Sequence, residues 1–181
     1  MSRILLGVSA GISIYKSLDL ASKLTQRGDE VRTVMTPHAL EFVRPLAFRA
    51  VTRQEVYTDT FLSDAERGPD HIALSEWPDA IIVAPATADM IARAAAGFGD
   101  NLLAVILLAT ERPVVIAPAM NDRMWRHPIV QRNLATLREL GYDVVEPESG
   151  RLACGSVGPG RLAETAKLLD AIDRALRAGK R

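Results

Sequence analysis

Cys154, Asn121 and His71 are the side chains of this sequence best placed to do chemistry. Cys154 is the only cysteine, and it lies within Gly150-Arg151-Leu152-Ala153-Cys154-Gly155-Ser156-Val157-Gly158-Pro159-Gly160-Arg161. A cysteine that only packs usually sits in a core, whereas this one sits where the backbone can fold over a ligand, which favours a chemical role over a chance surface thiol. Asn121 stands in Pro118-Ala119-Met120-Asn121-Asp122-Arg123-Met124-Trp125. Its NH2 can donate to a carboxylate without adding charge, beside an apolar wall of Met and Trp. The plainer reading makes Asn121 a helix cap and the Met and Trp residues subunit contacts. His71, in Asp70-His71-Ile72-Ala73-Leu74 just before a predicted strand, has the acid-base range of imidazole, although a lone His beside an acid is more often structural. His38 and His127 offer no more on local grounds. With three scattered His and one Cys lacking a partner at ligand spacing, no metal site is expected.

Two further segments have the form of binding turns. Gly7-Val8-Ser9-Ala10-Gly11-Ile12 places small residues where a phosphate can approach backbone N–H groups at a helix start. Its spacing is not Gly-x-Gly-x-x-Gly, and no Gly-Lys-Ser/Thr follows, which excludes the dinucleotide fingerprint and the Walker loop. The second strand ends in Thr36 rather than in the acid that grips an adenosine ribose, so a mononucleotide fits better than NAD. Ala84-Pro85-Ala86-Thr87-Ala88-Asp89 follows a third strand at its carboxyl end, where open α/β sheets bind ligands. Taken alone, the first turn is equally a tight turn that merely allows close helix packing, and the second reads better as an ordinary capped helix start.

The elements that must position these residues are read from apolar patterning. Strands are predicted over Arg3–Val8, Glu30–Met35, Ala80–Ala84, Pro113–Ala117 and Tyr142–Val145. Helices are predicted from Ile14 to Gly28, over Pro37–Phe42, over Thr87–Ala96 with Thr87 as cap, and over Ile129–Leu140 and Leu162–Leu176. Leu102–Ala109 is apolar on all sides, as a helix buried against a sheet or another subunit would be. Strands alternating with helices imply a three-layer, doubly wound parallel α/β sheet of Rossmann-like or flavodoxin-like type, in a single domain. Tyr57–Pro69 and Glu146–Arg161 fit this scheme poorly and are predicted loops, the second long enough to act as a lid.

Composition narrows the function classes. The 181 residues carry 22 Lys plus Arg against 22 Asp plus Glu, so net charge gives no grip on nucleic acid or anionic membrane. A hydrophobic fraction of 48% excludes disorder. The longest charge-free run, Ile4–Tyr15, falls short of the ~20 apolar residues of a membrane span. It is also too diluted by Gly and Ser for a signal-peptide core. A lone cysteine asks for no oxidising compartment, so a cytoplasmic location is expected.

Together these segments resemble the homo-oligomeric, flavin-containing cysteine decarboxylases, over nearly the whole chain from Ile4 to about Arg161. Pro118-Ala119-Met120-Asn121-x-x-Met124-Trp125 coincides with that family's Pro-x-Met-Asn-x-x-Met-Trp signature. Pro85-Ala86-Thr87-Ala88-Asp89-Met90 is similar to its Pro-Ala-Ser-Ala-Asn-Thr segment, with Thr87, Asp89 and Met90 as replacements. The resemblance implies FMN as cofactor, contacted by Gly11, Ile12, Thr36, Thr87, Ala88, Asp89 and Ala119. It implies His71 as the catalytic histidine, Asn121 as the holder of the substrate carboxylate, and Cys154 as the cysteine of a closing flap at 148–161 in a 1–181 flavoprotein domain. It further implies a homo-oligomer, a trimer or a dodecamer of joined trimers, with FMN at the subunit interface and Leu102–Ala109 as a candidate contact.

The resemblance is strongest to members that serve coenzyme A synthesis, so 4'-phosphopantothenoylcysteine is the implied substrate and 4'-phosphopantetheine the product. An ordinary cysteine carboxylate loses carbon dioxide poorly because the electrons left behind have no sink. Oxidation of CH2–SH to a thioaldehyde by FMN supplies one. His71 would then assist proton movement in the oxidation, Asn121 would orient the carboxylate, and Cys154 would protonate the resulting enethiolate. Three rival readings remain. A peptidyl-cysteine decarboxylase that stops at the enethiol has less use for Cys154, a non-catalytic flavin-binding regulatory subunit commonly carries acidic tails that are not seen here, and a flavodoxin-like electron carrier is usually strongly acidic.

Overall fold

A computed structural model describes residues 1–58 and 70–179. Its framework is a six-stranded parallel sheet of β1 (Arg3–Val8), β2 (Glu30–Met35), β3 (Val56–Tyr57), β4 (Ala80–Ala86), β5 (Val114–Pro118) and β6 (Asp143–Val144). The spatial order is β3-β2-β1-β4-β5-β6, the doubly wound arrangement in which the chain first steps outward from β1 on one side and then returns to build the other. The switch point lies between β1 and β4. Parallel neighbours require a crossover each. These are supplied by α1 (Ile14–Gln26), α2 (Pro45–Thr52), α3 (Asp70–Glu76), α4 (Ala88–Ala96), α5 (Leu102–Ala109), α6 (Asp122–Trp125) and α7 (Pro128–Glu139), and α8 (Thr165–Ala178) closes the chain.

Burial on both faces explains why the central strands read as continuous apolar runs. Ile4, Leu6 and Val8 of β1 face one core with Leu20 of α1, Phe48 of α2 and Leu168 and Ile172 of α8. Leu5, Ile81, Val83 and Ile116 face the other with Leu74 of α3, Ile91 of α4, Leu103 of α5 and Leu134 of α7. Gly7 lies beneath Leu103, whose Cδ1 would stand 2.6 Å from any Cβ added there. This close packing brings α5 onto the sheet. The helix also has a cap: Asn101 Oδ1 accepts from Ala104 N at 3.0 Å.

The expected fold class is observed, with differences in its parts. The region predicted as a loop at Glu146–Arg161 contains an antiparallel ribbon of β7 (Glu148–Arg151) and β8 (Val157–Arg161). Its glycines and Pro159 hide strand pairing from a propensity reading. The predicted Leu162–Leu176 helix begins at Thr165 instead. Pro85 and Ala86 belong to β4 rather than to the turn after it, and α2 and α6 carry no apolar period long enough to announce them. His71 lies in the first turn of α3 rather than in a lead-in to a strand. Of the Tyr57–Pro69 loop, Tyr57 is the end of β3, and residues 59–69 fall outside the described part.

Candidate active site

The carboxyl ends of β1, β4 and β5 are tied into one shelf at the switch point. Ser9 Oγ donates to Pro85 O at 2.7 Å and accepts from Thr87 N at 2.9 Å, so one hydroxyl couples the turn after β1 to the turn after β4. Ala119 N donates to Ala86 O at 3.0 Å, continuing the shelf to β5. Thr36 N donates to Val8 O at 3.0 Å on the other side. Thr87 caps α4, its Oγ1 accepting from Met90 N at 3.2 Å. Gly11 holds φ +141°, with nothing within 4 Å of the place a Cβ would take. Among the described residues, no side chain caps α1 at Ser13; backbone carbonyls take up part of its first turn, Ile14 N donating to Gly11 O at 3.2 Å and Lys16 N to Ser13 O at 2.9 Å.

Above this shelf lies a cavity of about 440 Å³ lined by the start of α1, the turn after β5, the ribbon and Leu162. Of the expected site residues it takes in Gly11, Ile12, Ala119, Asn121 and Cys154. Its walls are largely apolar, from Ile12, Ala119, Met120, Leu152, Ala153 and Leu162, with polar groups at a few points, which is the usual make-up of a small-molecule site.

The ribbon places Cys154 at its tip. Leu152 N donates to Ser156 O at 2.8 Å and Gly155 N to Leu152 O at 2.9 Å, closing a tight turn in which Gly155 takes φ +89°. Met120 N donates to Gly160 O at 2.9 Å and fastens β8 to the end of β5. Asn121 does two things at once. Its Oδ1 accepts from Arg123 N at 2.8 Å, the cap of α6, while its Nδ2 donates to Cys154 Sγ at 3.0 Å. Ser156 Oγ stands 3.1 Å from the same sulfur and donates to Asp122 Oδ1 at 3.0 Å. The Ser156 hydroxyl and backbone N–H, aided by the Asn121 amide, hold the thiol below the ordinary cysteine value.

The remaining expected residues stand elsewhere. Thr36, Thr87, Ala88 and Asp89 follow β2 and β4 at the same end of the sheet but do not line the cavity. Asp89 pairs with Arg93 at 2.8 Å on the exposed side of α4. His71 is also outside the lining. Its helix packs through Leu74 into the core shared with α5, on the opposite face from α1 and α8. Its Nδ1 is buried without a hydrogen-bond partner among the described residues.

Sequence reasoning passed over Lys16, Arg151 and Arg161, which also line the cavity. Lys16 is only 9% exposed, and its Nζ donates to Glu164 Oε1 at 2.7 Å and to Leu162 O at 3.1 Å. No local pattern announces it: Lys16 lies two residues on from Ile14, off the stripe of Ile14, Leu18, Ala21 and Leu24, and its burial follows from packing against the segment at Leu162 and Glu164. Asp122 and Ser156 gave no local signal. They meet only because the ribbon folds back onto α6.

A doubly wound sheet with a capless helix start and a mostly apolar cavity at its switch point defines a nucleotide- or flavin-binding α/β protein. The Flavoprotein family model matches residues 1–177, and the chain belongs to that family. It is similar to the coenzyme A biosynthesis bifunctional protein CoaBC of Bacillus subtilis (strain 168), at 51% identity over 161 residues. That match takes in 89% of this chain and 40% of the relative, so the chain spans about two fifths of that protein's length. Among solved structures it resembles a Cys-to-Ser variant of PPC decarboxylase complexed with pantothenoylaminoethenethiol, with a TM-score of 0.85 and 34% identity over 96% of this chain and 97% of that one. It likewise resembles the FMN-dependent cysteine decarboxylase SpaF, with a TM-score of 0.87 and 38% identity over 100% and 98% of the two chains. No helix among the described residues is long and apolar enough to cross a membrane.

Proposed function

We propose that this chain catalyses the FMN-dependent decarboxylation of 4'-phosphopantothenoylcysteine to 4'-phosphopantetheine in coenzyme A synthesis, in the cytoplasm. The observation that carries the reading is the meeting of Asn121 and Cys154 at 3.0 Å over a cavity at the switch point. It occurs in a chain that shares the fold of PPC decarboxylase almost end to end.

The residues present fit FMN. Gly11 leaves open space where a side chain would block the approach of a ring or phosphate, and the start of α1 beside it carries no side-chain cap to fill that space. Ile12, Thr36, Thr87, Ala88, Asp89 and Ala119 would complete the cradle along the strand ends. When bound, FMN supplies the two-electron sink that carbon dioxide loss from a cysteine carboxylate needs. Asn121 uses one amide hydrogen on Cys154 and keeps the second for the substrate carboxylate. Lys16, Arg151 and Arg161 make the lining hospitable to an anionic substrate. His71 assists the proton that leaves the substrate thiol. Cys154 protonates the carbon that has lost carbon dioxide, and the ribbon at 148–161 acts as the flap that brings it there.

Because His71 lies outside this cavity, a neighbouring copy of the chain supplies it, in a homo-oligomer built as a trimer or as a dodecamer of joined trimers. Ile12 at 64% and Tyr15 at 61% exposure, which line the cavity and reach the surface, are apolar area suited to such a contact. The test is a product assay on FMN-loaded protein. Wild type is expected to give the saturated thiol, and Cys154→Ser to release carbon dioxide yet stop at the enethiol. His71→Asn is expected to release none. A wild-type preparation that binds FMN but leaves the substrate intact would remove the assignment. An enethiol as the final wild-type product would favour the peptidyl-cysteine type of reaction.

A further inference from the structure

The sulfur of Cys154 has two polar neighbours, one of them backed by a carboxylate, that the proposed reaction does not fully use. Asn121 Nδ2 donates to it at 3.0 Å, Ser156 Oγ stands 3.1 Å away, and the same Ser156 oxygen is 3.0 Å from Asp122 Oδ1. A serine hydroxyl has one hydrogen and two lone pairs. While that hydrogen points at Asp122, Ser156 can only accept from the Cys154 S–H. Once the thiol proton has left, the sulfur is an anion, and the same hydrogen can turn onto it.

Asp122 is suited to hold the hydrogen in the meantime. It is only 8% exposed, and its other oxygen, Oδ2, is engaged by Arg126 in an ion pair along α6, so the carboxylate keeps a partner when Ser156 turns away. A carboxylate is also the stronger acceptor, since a hydrogen bond to an ionised group is roughly twice as strong as a neutral one. Other charges at this end of the fold are Lys16 on α1, Arg151 and Arg161 on the ribbon, and Glu164 before α8, which pairs with Lys16 at 2.7 Å.

We propose that Ser156 is a two-position hydroxyl switch for Cys154, its hydrogen parked on Asp122 while the cysteine is a thiol and turned onto the sulfur when the cysteine is a thiolate. Ser156 and Asp122 are then positioning residues, and the inference rests on the proposed role of Cys154 as proton donor. The balance is simple: the S–H proton passes to the substrate carbon, the Ser156 hydrogen stays on Ser156, and solvent later reprotonates the sulfur.

Cys154 is the only cysteine and is exposed, so the rate of iodoacetamide alkylation against pH on the FMN-loaded protein reads its thiolate directly. Ser156→Ala removes the donor to the thiolate and is expected to slow alkylation at pH 7 about threefold to tenfold. Asp122→Asn weakens the competing acceptor and is expected to speed it about threefold. In a Ser156→Ala background, Asp122→Asn is expected to change the rate by less than about twofold, because the two residues act through one hydrogen. A purely structural tether predicts otherwise, with both single variants drifting toward an ordinary cysteine. Asp122→Asn slowing alkylation, or acting equally in both backgrounds, would overturn the switch. With substrate, Ser156→Ala is expected to accumulate enethiol while carbon dioxide release continues. A wild type that releases no carbon dioxide would count against the proposed reaction, while the alkylation cycle would still decide the switch.

Discussion

At the scale of single residues, Asn121 shows how one side chain meets a structural and a chemical demand at the same time. Its oxygen caps α6 and its nitrogen reaches Cys154, so the two duties separate cleanly on substitution. Asn121→Asp keeps an oxygen for the cap but loses the donor and brings a negative charge toward a carboxylate substrate. We expect thermal stability close to wild type and a fall in kcat/KM of about tenfold to a hundredfold, the range set by losing a hydrogen bond to a charged group. Unfolding curves and steady-state kinetics check this, and a large loss of stability would show that the cap was its main duty. The plainer sequence reading of Asn121 as a cap is what its oxygen does, while its nitrogen donates to Cys154, and donation to a carboxylate belongs to the proposed reaction.

At the scale of elements, the ribbon β7–β8 depends on a single backbone clasp. Gly160 holds φ +136°, and a Cβ there would run into the carbonyl oxygen of Met120, whose N–H donates to Gly160 O at 2.9 Å. Gly160→Ala is expected to leave both cores folded, to cost about 1–3 kcal/mol, and to expose 148–161 to limited proteolysis. Cleavage no faster than in wild type would show that the ribbon is held by other contacts. The glycines of this segment were legible in the sequence, and they were read as loop formers. Two of them instead supply the positive φ values of a turn and of a clasp inside a paired ribbon. Propensity describes each residue's own preference and cannot register pairing with a segment brought close by the rest of the fold.

At the scale of the whole molecule, His71 lies on the α3–α5 side and Cys154 over the α1–α8 side, and the proposed sharing of a site between copies rests on that separation. If neighbouring copies share each site, mixed oligomers of His71→Asn and Cys154→Ser chains contain some sites with both residues intact. Co-expression of the two variants is expected to restore part of the saturated product that neither forms alone. Failure to restore any, in oligomers shown by mass to be mixed, would place both residues within one chain's site.

The sequence alone determined the alternation of strands and helices, the burial of the sheet on both faces, and the turns at the strand ends. Each of these follows from patterns a few residues long, which local sterics and hydrophobicity dictate. It also marked Cys154 and Asn121, because a cysteine among glycines and an asparagine among Met and Trp are unusual choices at short range. Only tertiary structure decided that Asn121, Cys154, Ser156 and Asp122 form one chain of hydrogen bonds, that Lys16 turns its charge inward to Glu164, and that His71 lies away from them. These contacts join residues up to 148 positions apart, and no periodicity in a sequence encodes which distant segments the packing of a sheet will bring together.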